Sequence, residues 1–168
     1  MNPLVREAVE IAKDIVNVVL IGAAAVMLHT NMGRSSEDLD FALTTELSDD
    51  TLLDKGYVKI PNKRDSWHTP SHFKVDFFRK DVGEIPIKTI LDMSTIIQID
   101  SKNTLRVISL ECLIVAKTKA NRPTDREDLR LLAKKRFNEI NWDVLKSLAK
   151  SDMEFNTMKR NMKFYYDN

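Results

Sequence analysis

The sequence contains little of what marks several common classes of protein. Its 168 residues include one cysteine, Cys112, which excludes an internal disulfide and is typical of a reducing cytoplasm. Lys and Arg number 26 against 25 Asp and Glu, so the net charge of +1 gives no general signal for nucleic-acid binding. The longest apolar run, "VVLIGAAAVML", has 11 residues and is too short to span a membrane. The first residues lack an apolar run after a basic patch, so we predict no signal peptide and a cytoplasmic protein.

A chain of this length is sufficient for one domain with its own core. Apolar spacing predicts helices and strands in mixed order up to residue 108, and helices alone afterwards. The predicted helices are 3–16, 23–30, 49–55, one that begins after Ser109, one capped by Thr124 with Glu127, 141–150 and 153–166; the predicted strands are 16–22, 39–43, 57–60, 72–78, 94–100 and 105–109, with a loop over 61–71. We therefore predict an α+β fold in one compact unit, with a mixed sheet and flanking helices over 1–108 and a helical segment over 109–168 packed on it.

Two acidic residues stand two positions apart in the strand-like stretch "EDLDFAL". Because successive side chains of a strand point to opposite faces, Asp38 and Asp40 should share one face and Leu39 and Phe41 the other. Two carboxylates about 4 Å apart repel by on the order of 4 kcal/mol at an effective dielectric near 20, whereas a divalent cation reverses the sign of that energy. Asp76 in "KVDFF" is a third acid on a strand. The pattern predicts a Mg²⁺ site of the kind that assists phosphoryl transfer.

Upstream of these acids, the strand "VVLIG" leads directly into the helix "AAAVML". Gly22 at that junction allows a sharp turn and a close approach of a ligand to the backbone. The N-terminus of the helix offers unpaired N–H groups that suit a phosphate. A phosphate site beside a metal site indicates nucleotide binding.

The stretch "IGAAAVMLHTNMGRSSEDLDFAL" resembles the opening of the nucleotidyltransferase superfamily with the DNA polymerase β-like fold, and within it the AbiEii-like and other minimal nucleotidyltransferases. Those proteins have a Gly-Gly or Gly-Ser turn and then an Arg-x-Thr/Ser-x-Asp-hydrophobic-Asp run. The residues that match the run are Arg34, Ser36, Asp38 and Asp40, and Asp76 matches the third acid. Ala23 replaces the second Gly or Ser of the turn, which removes a hydroxyl but keeps the backbone N–H.

The resemblance extends to "LECLIVAKTKANRPTDREDLRLL", which places Lys117 on a functional lysine and Asp125 and Asp128 on an acidic segment. It implies a metal-dependent enzyme that transfers a nucleoside monophosphate from a nucleoside triphosphate to an acceptor. Mg²⁺ or Mn²⁺ would be held by Asp38, Asp40 and Asp76, and Lys117 would bind phosphate together with the turn and Arg34 and Ser36. The acceptor would be an RNA such as a tRNA end, a protein side chain or a small molecule, and the partner of a toxin-like member would be an antitoxin.

Each of these residues also has a structural interpretation. The acids at 38 and 40 would then be solvated on an edge strand, Asp76 would pair with Lys74 or Arg79, and Lys117 would lie at a helix edge with its ammonium in water. The remaining structural interpretations are a plain turn for Gly22, loop solvation for Arg34, a turn role for Ser36, support of a helix start for Asp125 and Asp128, a core position for Cys112, and surface positions for His68 and His72. The basic and aromatic "MKRNMKFYYDN" favours a docking or oligomerising helix over an RNA contact.

Two other functions compete with the enzyme. Ala23 and the basic C-terminal helix favour a catalytically weak nucleotide- or RNA-binding module of a toxin–antitoxin pair. A haloacid-dehalogenase-like phosphatase also uses Asp-x-Asp on a strand, but there the first acid stands at the carboxyl end of a strand near the chain start. Binding of a nucleotide without release of pyrophosphate would separate the module from the enzyme.

Overall fold

A computed structural model of the protein describes residues 2–31 and 36–168. In the first part of the chain the elements are α1 (Pro3–Asp14), β1 (Val19–Ile21), α2 (Gly22–Thr30), β2 (Asp38–Ala42), α3 (Asp49–Asp54), β3 (Val58–Lys59), β4 (Ser66–His68), β5 (Lys74–Phe78), β6 (Asp81–Val82), β7 (Ile85–Pro86), α4 (Ile87–Asp92), β8 (Thr95–Gln98) and β9 (Thr104–Val107). They are followed by α5 (Leu110–Ala120), α6 (Pro123–Arg136), a 3₁₀ turn (Phe137–Glu139), α7 (Trp142–Leu148) and α8 (Asp152–Asp167). The order is mixed first and helical afterwards, which confirms the predicted fold class.

Seven of these strands form one mixed sheet in the order β3-β4-β5-β2-β1-β9-β8, and β6 pairs with β7 in a separate hairpin. β2 lies inside the sheet, antiparallel to β1 and parallel to β5. Both of its backbone edges are therefore hydrogen-bonded, which fixes the direction of every side chain along it. The structural interpretation that placed Asp38 and Asp40 on an edge strand is therefore wrong.

The core is formed by the apolar residues that alternate with polar ones along the central strands. Leu39 and Phe41 of β2 and Val75 of β5 are fully buried on one face of the sheet. The helices that follow the sheet pack on one another and on α2: α6 contacts α2, α5 and α8. This packing brings the beginning of α6 close to the turn between β1 and α2.

Two local predictions differ from the structure. The predicted loop over 61–71 contains β4, because Trp67 is fully buried and its strand pairs antiparallel with β5 between two prolines. Helix α6 begins at Pro123 rather than after a Thr124 cap, since the Asp125 carboxylate accepts a hydrogen bond from the backbone N–H of Arg122. The Ser109 cap of α5 is confirmed by its hydrogen bond from the Cys112 backbone N–H.

Two further predictions concern apolar segments. Cys112 is fully buried in the core, as predicted. None of the helices that the structure describes is long and apolar enough to cross a membrane.

Candidate functional site

The register of β2 and β5 brings the three predicted acids to one place. Asp40 lies directly opposite Asp76, and Asp38 lies opposite Lys74. The burial of Leu39 between the two acids of β2 confirms that Asp38 and Asp40 share the other face of the sheet. The parallel pairing therefore places Asp76 on that same face.

Lys74 joins two of these acids across the strands. Its Nζ donates to Asp38 Oδ2 at 2.7 Å and to Asp76 Oδ2 at 2.9 Å, so both oxygens lie around one ammonium. Burial alone would lower the pKa of Lys74, but the hydrogen bonds to Asp38 and Asp76 outweigh it and raise that pKa. The predicted pairing of Asp76 with Lys74 is confirmed, whereas Arg79 pairs with Asp65 instead. We call Asp38, Asp40, Asp76 and Lys74 the sheet cluster.

Asp40 lies against the turn between β1 and α2. Gly22 has a φ of +67°, and a Cβ at this position would lie 2.1 Å from Asp40 Oδ2. Burial, and next the charge of Asp76, raise the pKa of Asp40 to about 6. No residue in the described part of the chain donates a hydrogen bond to the Asp40 carboxylate, and Asp76 Oδ1 is buried without a partner there. Because burying unpaired carboxylate oxygens is costly, this geometry suits a carboxylate that binds a ligand.

A cavity of about 400 Å³ opens in front of Asp40. Gly22, Asp40 and Lys117, which the sequence indicated as functional, all line it, together with Ile21, Phe78, Asp81, Val82, Gly83, Glu84, Ile108, Leu113, Ala116, Lys119, Ala120, Arg122 and Asp125. A larger cavity of about 690 Å³ lies between Leu43 and Arg79 and includes none of the three acids. The smaller cavity is therefore the candidate binding site.

The hairpin of β6 and β7 closes one side of this cavity. Gly83, with a φ of +56°, sits so close to α5 that a Cβ would lie 2.6 Å from the Ala116 Cα. At the tip of the hairpin, Glu84 accepts from Lys119 at 3.0 Å and Lys150 at 2.6 Å. Lys119 also pairs with Glu154 of α8. These contacts tie the hairpin to the C-terminal helices.

A second charged group at the cavity is formed by residues of α5 and α6. Lys117 of α5 is 6% exposed, and its Nζ lies 3.0 Å from Asp125 Oδ1 and 2.8 Å from Asp128 Oδ2, both on α6 and fully buried. Arg122 adds two hydrogen bonds to Asp125, at 2.6 Å from Nε and 3.1 Å from Nη2. Burial favours a higher pKa for Asp125, but the hydrogen bonds from Arg122 and Lys117 lower it to about 2. We call Lys117, Asp125, Asp128 and Arg122 the helix cluster.

This cluster changes the interpretation of its members. Lys117 is not at a solvated helix edge, because its ammonium is buried between two acids. Asp125 supports the start of α6, as its structural interpretation predicts, and at the same time joins α6 to α5. The use of Lys117 as a phosphate ligand stays a prediction.

Ala23 and Ser36 are not among the residues that line the cavity. Ala23 is in the first turn of α2, which is capped by no side chain of the described residues. The Ser36 hydroxyl donates to the backbone oxygen of Asp38 at 3.0 Å, which fixes the start of β2. Arg34 lies outside the described residues. Their contacts with a nucleotide stay predictions.

The histidines of the 61–72 region were predicted to be surface residues. His72 is exposed and has a φ of +68° at a tight turn. His68 is half-buried on β4, opposite Lys74 in register. The structure therefore confirms the surface position for His72 alone.

Whether the sheet cluster fits a divalent cation depends on its donors. Within residues 2–31 and 36–168, no three His, Cys, Asp or Glu side chains are arranged as a ready-made metal site. The donors are nevertheless all carboxylate oxygens, which Mg²⁺ and Mn²⁺ prefer, and the buried Asp76 Oδ1 has no hydrogen-bond partner among the described residues. An ammonium already lies between two of the acids, so their arrangement accepts a cation. The residues of the sheet cluster therefore fit a divalent cation in chemistry and charge.

Residues 4–167 match the model of a protein family described as "Nucleotidyltransferase of unknown function (DUF6036)". The chain belongs to this family. No curated protein matches it in sequence. The family assignment therefore covers almost the whole chain and supplies a class of enzyme without a substrate.

Two solved structures from Helicobacter pylori share the fold. One is JHP933, with 17% identity and a TM-score of 0.56 over 98% of this chain and 89% of that one. The other is described as a "putative nucleotidyltransferase", with 18% identity and a TM-score of 0.53 over 98% of this chain and 92% of that one. At this identity the likeness concerns the fold, which is that of the nucleotidyltransferase-like proteins.

Sequence reasoning missed two features of the site. It gave the pair of Lys74 with Asp76 as a structural interpretation, but not the second contact of Lys74, with Asp38, which depends on the register of β2 and β5. The hairpin of β6 and β7 gave no periodic signal, because each strand has two residues.

Proposed function

We propose that the protein is a metal-dependent nucleotidyltransferase that transfers a nucleoside monophosphate from a nucleoside triphosphate to an acceptor hydroxyl. The observation that carries this proposal is the position of Asp40. It lies in register with Asp76 and in contact distance of Gly22, at the N-terminus of α2 and at the edge of the cavity. Membership of a nucleotidyltransferase family supports the same reaction class.

The chain supplies two complementary surfaces for a triphosphate. The first turn of α2 is capped by no side chain of the described residues, and the backbone N–H groups of a helix N-terminus favour phosphate oxygens. The acids of the sheet cluster carry three negative charges against one ammonium, so they repel a bare triphosphate and accept one that arrives with a cation. Specificity for a cation-bound triphosphate follows from this charge difference.

We assign Asp38, Asp40 and Asp76 as the residues that would hold Mg²⁺ or Mn²⁺. When bound, such an ion neutralises phosphate charge and supplies Lewis-acid chemistry. In the transfer, the acceptor oxygen forms a bond to the α-phosphorus, the bond from that phosphorus to the bridging oxygen breaks, and pyrophosphate leaves with that electron pair. Asp76, whose buried Oδ1 has no hydrogen-bond partner in the described part of the chain, is the group that we assign to receive the acceptor proton.

Narrower assignments stay predictions. The AbiEii-like branch, a toxin role, an antitoxin partner and an RNA or protein acceptor rest on the sequence resemblance alone. The phosphate contacts of Lys117, Arg34, Ser36 and the Gly22–Ala23 turn are predictions too. A cytoplasmic location also stays a prediction.

The proposal is tested with α-labelled nucleoside triphosphates, one base at a time, in the presence of Mg²⁺ or Mn²⁺. Label transfer to RNA, to protein and to small hydroxyl compounds is followed together with pyrophosphate release. We expect the wild type to release pyrophosphate, and Asp40→Asn and Asp76→Asn to lose at least about 10²-fold in rate, the usual scale for a group that acts on the reacting atoms. Asp92→Asn, at an acid half-exposed on α4 beside Lys88, is the matched control and should leave the rate unchanged.

Two outcomes would overturn the proposal. Transfer that persists in Asp40→Asn at the wild-type rate would place the reaction elsewhere. Tight triphosphate binding by the wild type without any pyrophosphate release would identify a nucleotide-binding module instead.

A further inference from the structure

Lys74 occupies the position in the sheet cluster where a cation is expected. Its ammonium lies within 2.9 Å of one oxygen of Asp38 and one of Asp76, and it enters from β5, the strand that carries Asp76. With a side chain 24% exposed, Lys74 is partly shielded from water, which strengthens both pairs. It is the cation to which both of these acids are paired in the described part of the chain.

The contacts of Lys74 divide the oxygens of the cluster. Asp38 and Asp76 each use Oδ2 for the ammonium, while Asp76 Oδ1 and the Asp40 carboxylate receive no hydrogen bond from a described residue. Within the cluster, one ammonium therefore offsets one of three negative charges. A divalent cation that took up all three carboxylates would meet the ammonium as a like charge only a few ångströms away.

We propose that Lys74 is the resident counter-cation of the sheet cluster, which holds Asp38 and Asp76 together without metal and leaves them when a divalent cation binds. This inference rests on the proposed function, because it presumes that the three acids bind a cation. The flexible four-carbon stem and the three rotatable donors of a lysine suit such an exchange. The consequence is that a free metal ion binds weakly and competes with Lys74.

The experiment measures Mn²⁺ binding, by titration calorimetry and by the electron paramagnetic resonance signal of the free ion. The variants are Lys74→Met, which keeps the stem and removes the charge, and Lys74→Arg, which keeps the charge. Lys88→Met, at the 84% exposed lysine beside Asp92, is the matched control for the loss of one lysine. Thermal unfolding with and without Mn²⁺ is a second readout on the same samples.

We expect Lys74→Met to bind Mn²⁺ about tenfold or more tightly than the wild type, since the ion no longer has to displace an ammonium from Asp38 and Asp76. Lys74→Arg and Lys88→Met should bind as the wild type does. Without metal, Lys74→Met should unfold at a lower temperature because its carboxylates repel one another, and Mn²⁺ should close that gap. If Lys74→Met fails to fold even with Mn²⁺, Lys74→Gln, whose neutral amide still donates hydrogen bonds, carries the same measurement.

The outcomes separate this inference from the proposed function. If the wild type binds Mn²⁺ and Asp40→Asn does not, but Lys74→Met binds it equally or less tightly, the inference is overturned and Lys74 instead positions the acids. If neither the wild type nor Lys74→Met shows saturable Mn²⁺ binding, the metal site of the proposed function is overturned and the inference with it.

Discussion

The sheet cluster and the helix cluster both contribute to the lining of one cavity, the first through Asp40 and the second through Lys117, Arg122 and Asp125, but they differ in the balance of their charges. In the helix cluster two buried acids are matched by Lys117 and by Arg122. In the sheet cluster three acids share one ammonium, and Asp40 has no hydrogen-bond donor among the described residues. The helix cluster joins two helices. The sheet cluster keeps negative charge that its own lysine does not balance and that does not stabilise the fold.

This difference indicates which acids serve stability and which serve binding. Charged groups are buried at low cost only where they are paired and hydrogen-bonded. Hydrogen bonds lower the pKa of Asp125 to about 2, while burial and the charge of Asp76 raise that of Asp40 to about 6. Removing a charge should therefore have opposite effects on the two clusters, and the predictions below test that contrast.

The largest effect is expected for Lys117→Met. The change leaves the fully buried carboxylates of Asp125 and Asp128 without their shared ammonium. Breaking a buried ion pair in this way costs about 3–5 kcal/mol. Urea denaturation measures the loss, and Lys13→Met, in an exposed pair with Glu10, should lose less than about 1 kcal/mol.

The sequence alone predicts a different result for this variant. A lysine at a solvated helix edge would keep its stem contacts as Met, and the stability would change little. A loss as small as that of Lys13→Met would contradict the buried cluster and restore the solvated interpretation.

The next largest effect is expected for Gly22→Ala. An alanine held at the Gly22 φ of +67° should lower the free energy of unfolding by about 1–2 kcal/mol. In addition, the Cβ would lie 2.1 Å from Asp40 Oδ2, and relieving that overlap should cost about 1–3 kcal/mol more. Thermal or urea denaturation measures the sum.

Gly56→Ala is the matched control for Gly22→Ala. Its φ is +83°, but the nearest atom to its Cβ would be the Pro70 Cγ at an ordinary 3.5 Å. Gly56→Ala should therefore lose only the stability that a positive φ costs an alanine, with no loss from an overlap. Equal losses in the two variants would mean that Asp40 moves away from the turn freely, and the close approach would not matter.

The pH dependence of stability should report the helix cluster. The pKa of Asp125 is about 2 in the folded protein and about 3.9 when unfolded, so its contribution is complete above about pH 4 and is lost as the pH falls towards 2. The expected loss is about 2 kcal/mol. Urea denaturation at several pH values should show this loss in the wild type but not in Asp125→Asn. The same acid slope in both would assign the loss to other carboxylates.

The sequence predicts the fold class and one face of the site, because both depend on local periodicity. The alternation of Asp38, Leu39 and Asp40 is sufficient to place the two acids together. It does not give the pairing of β2 with β5, since parallel strands are joined by a long connection whose register no local signal sets. The match of Asp40 with Asp76 could therefore be expected from the family resemblance but not from the strand itself.

The helix cluster could not be predicted for a similar reason. Lys117 and Asp125 are eight residues apart and lie on two different helices, so they are not a pair at i, i+3 or i, i+4 within one helix. They meet because the chain turns at Asn121, which has a φ of +49°, and α6 then packs back on α5. Burial of the ammonium follows from that packing and has no counterpart in the sequence pattern.

The smallest effect, and the one of opposite sign, is expected for Asp40→Asn. The raised pKa of Asp40 means that its charge opposes folding at neutral pH, so removing the charge should stabilise the metal-free protein. A rise of about two pKa units sets an upper limit of about 3 kcal/mol, and we expect about 1 kcal/mol, because the amide must also be buried.

Without metal, Asp40→Asn should have the higher melting temperature, and with Mn²⁺ the wild type should. The ion raises the melting temperature of whichever protein binds it, so the wild type should gain and Asp40→Asn should not. Asp92→Asn should behave as the wild type under both conditions, since that acid lies on the exposed side of α4. If Asp40→Asn lowers stability without metal, Asp40 belongs with the acids of the helix cluster as a structural residue, and the contrast between the two clusters disappears.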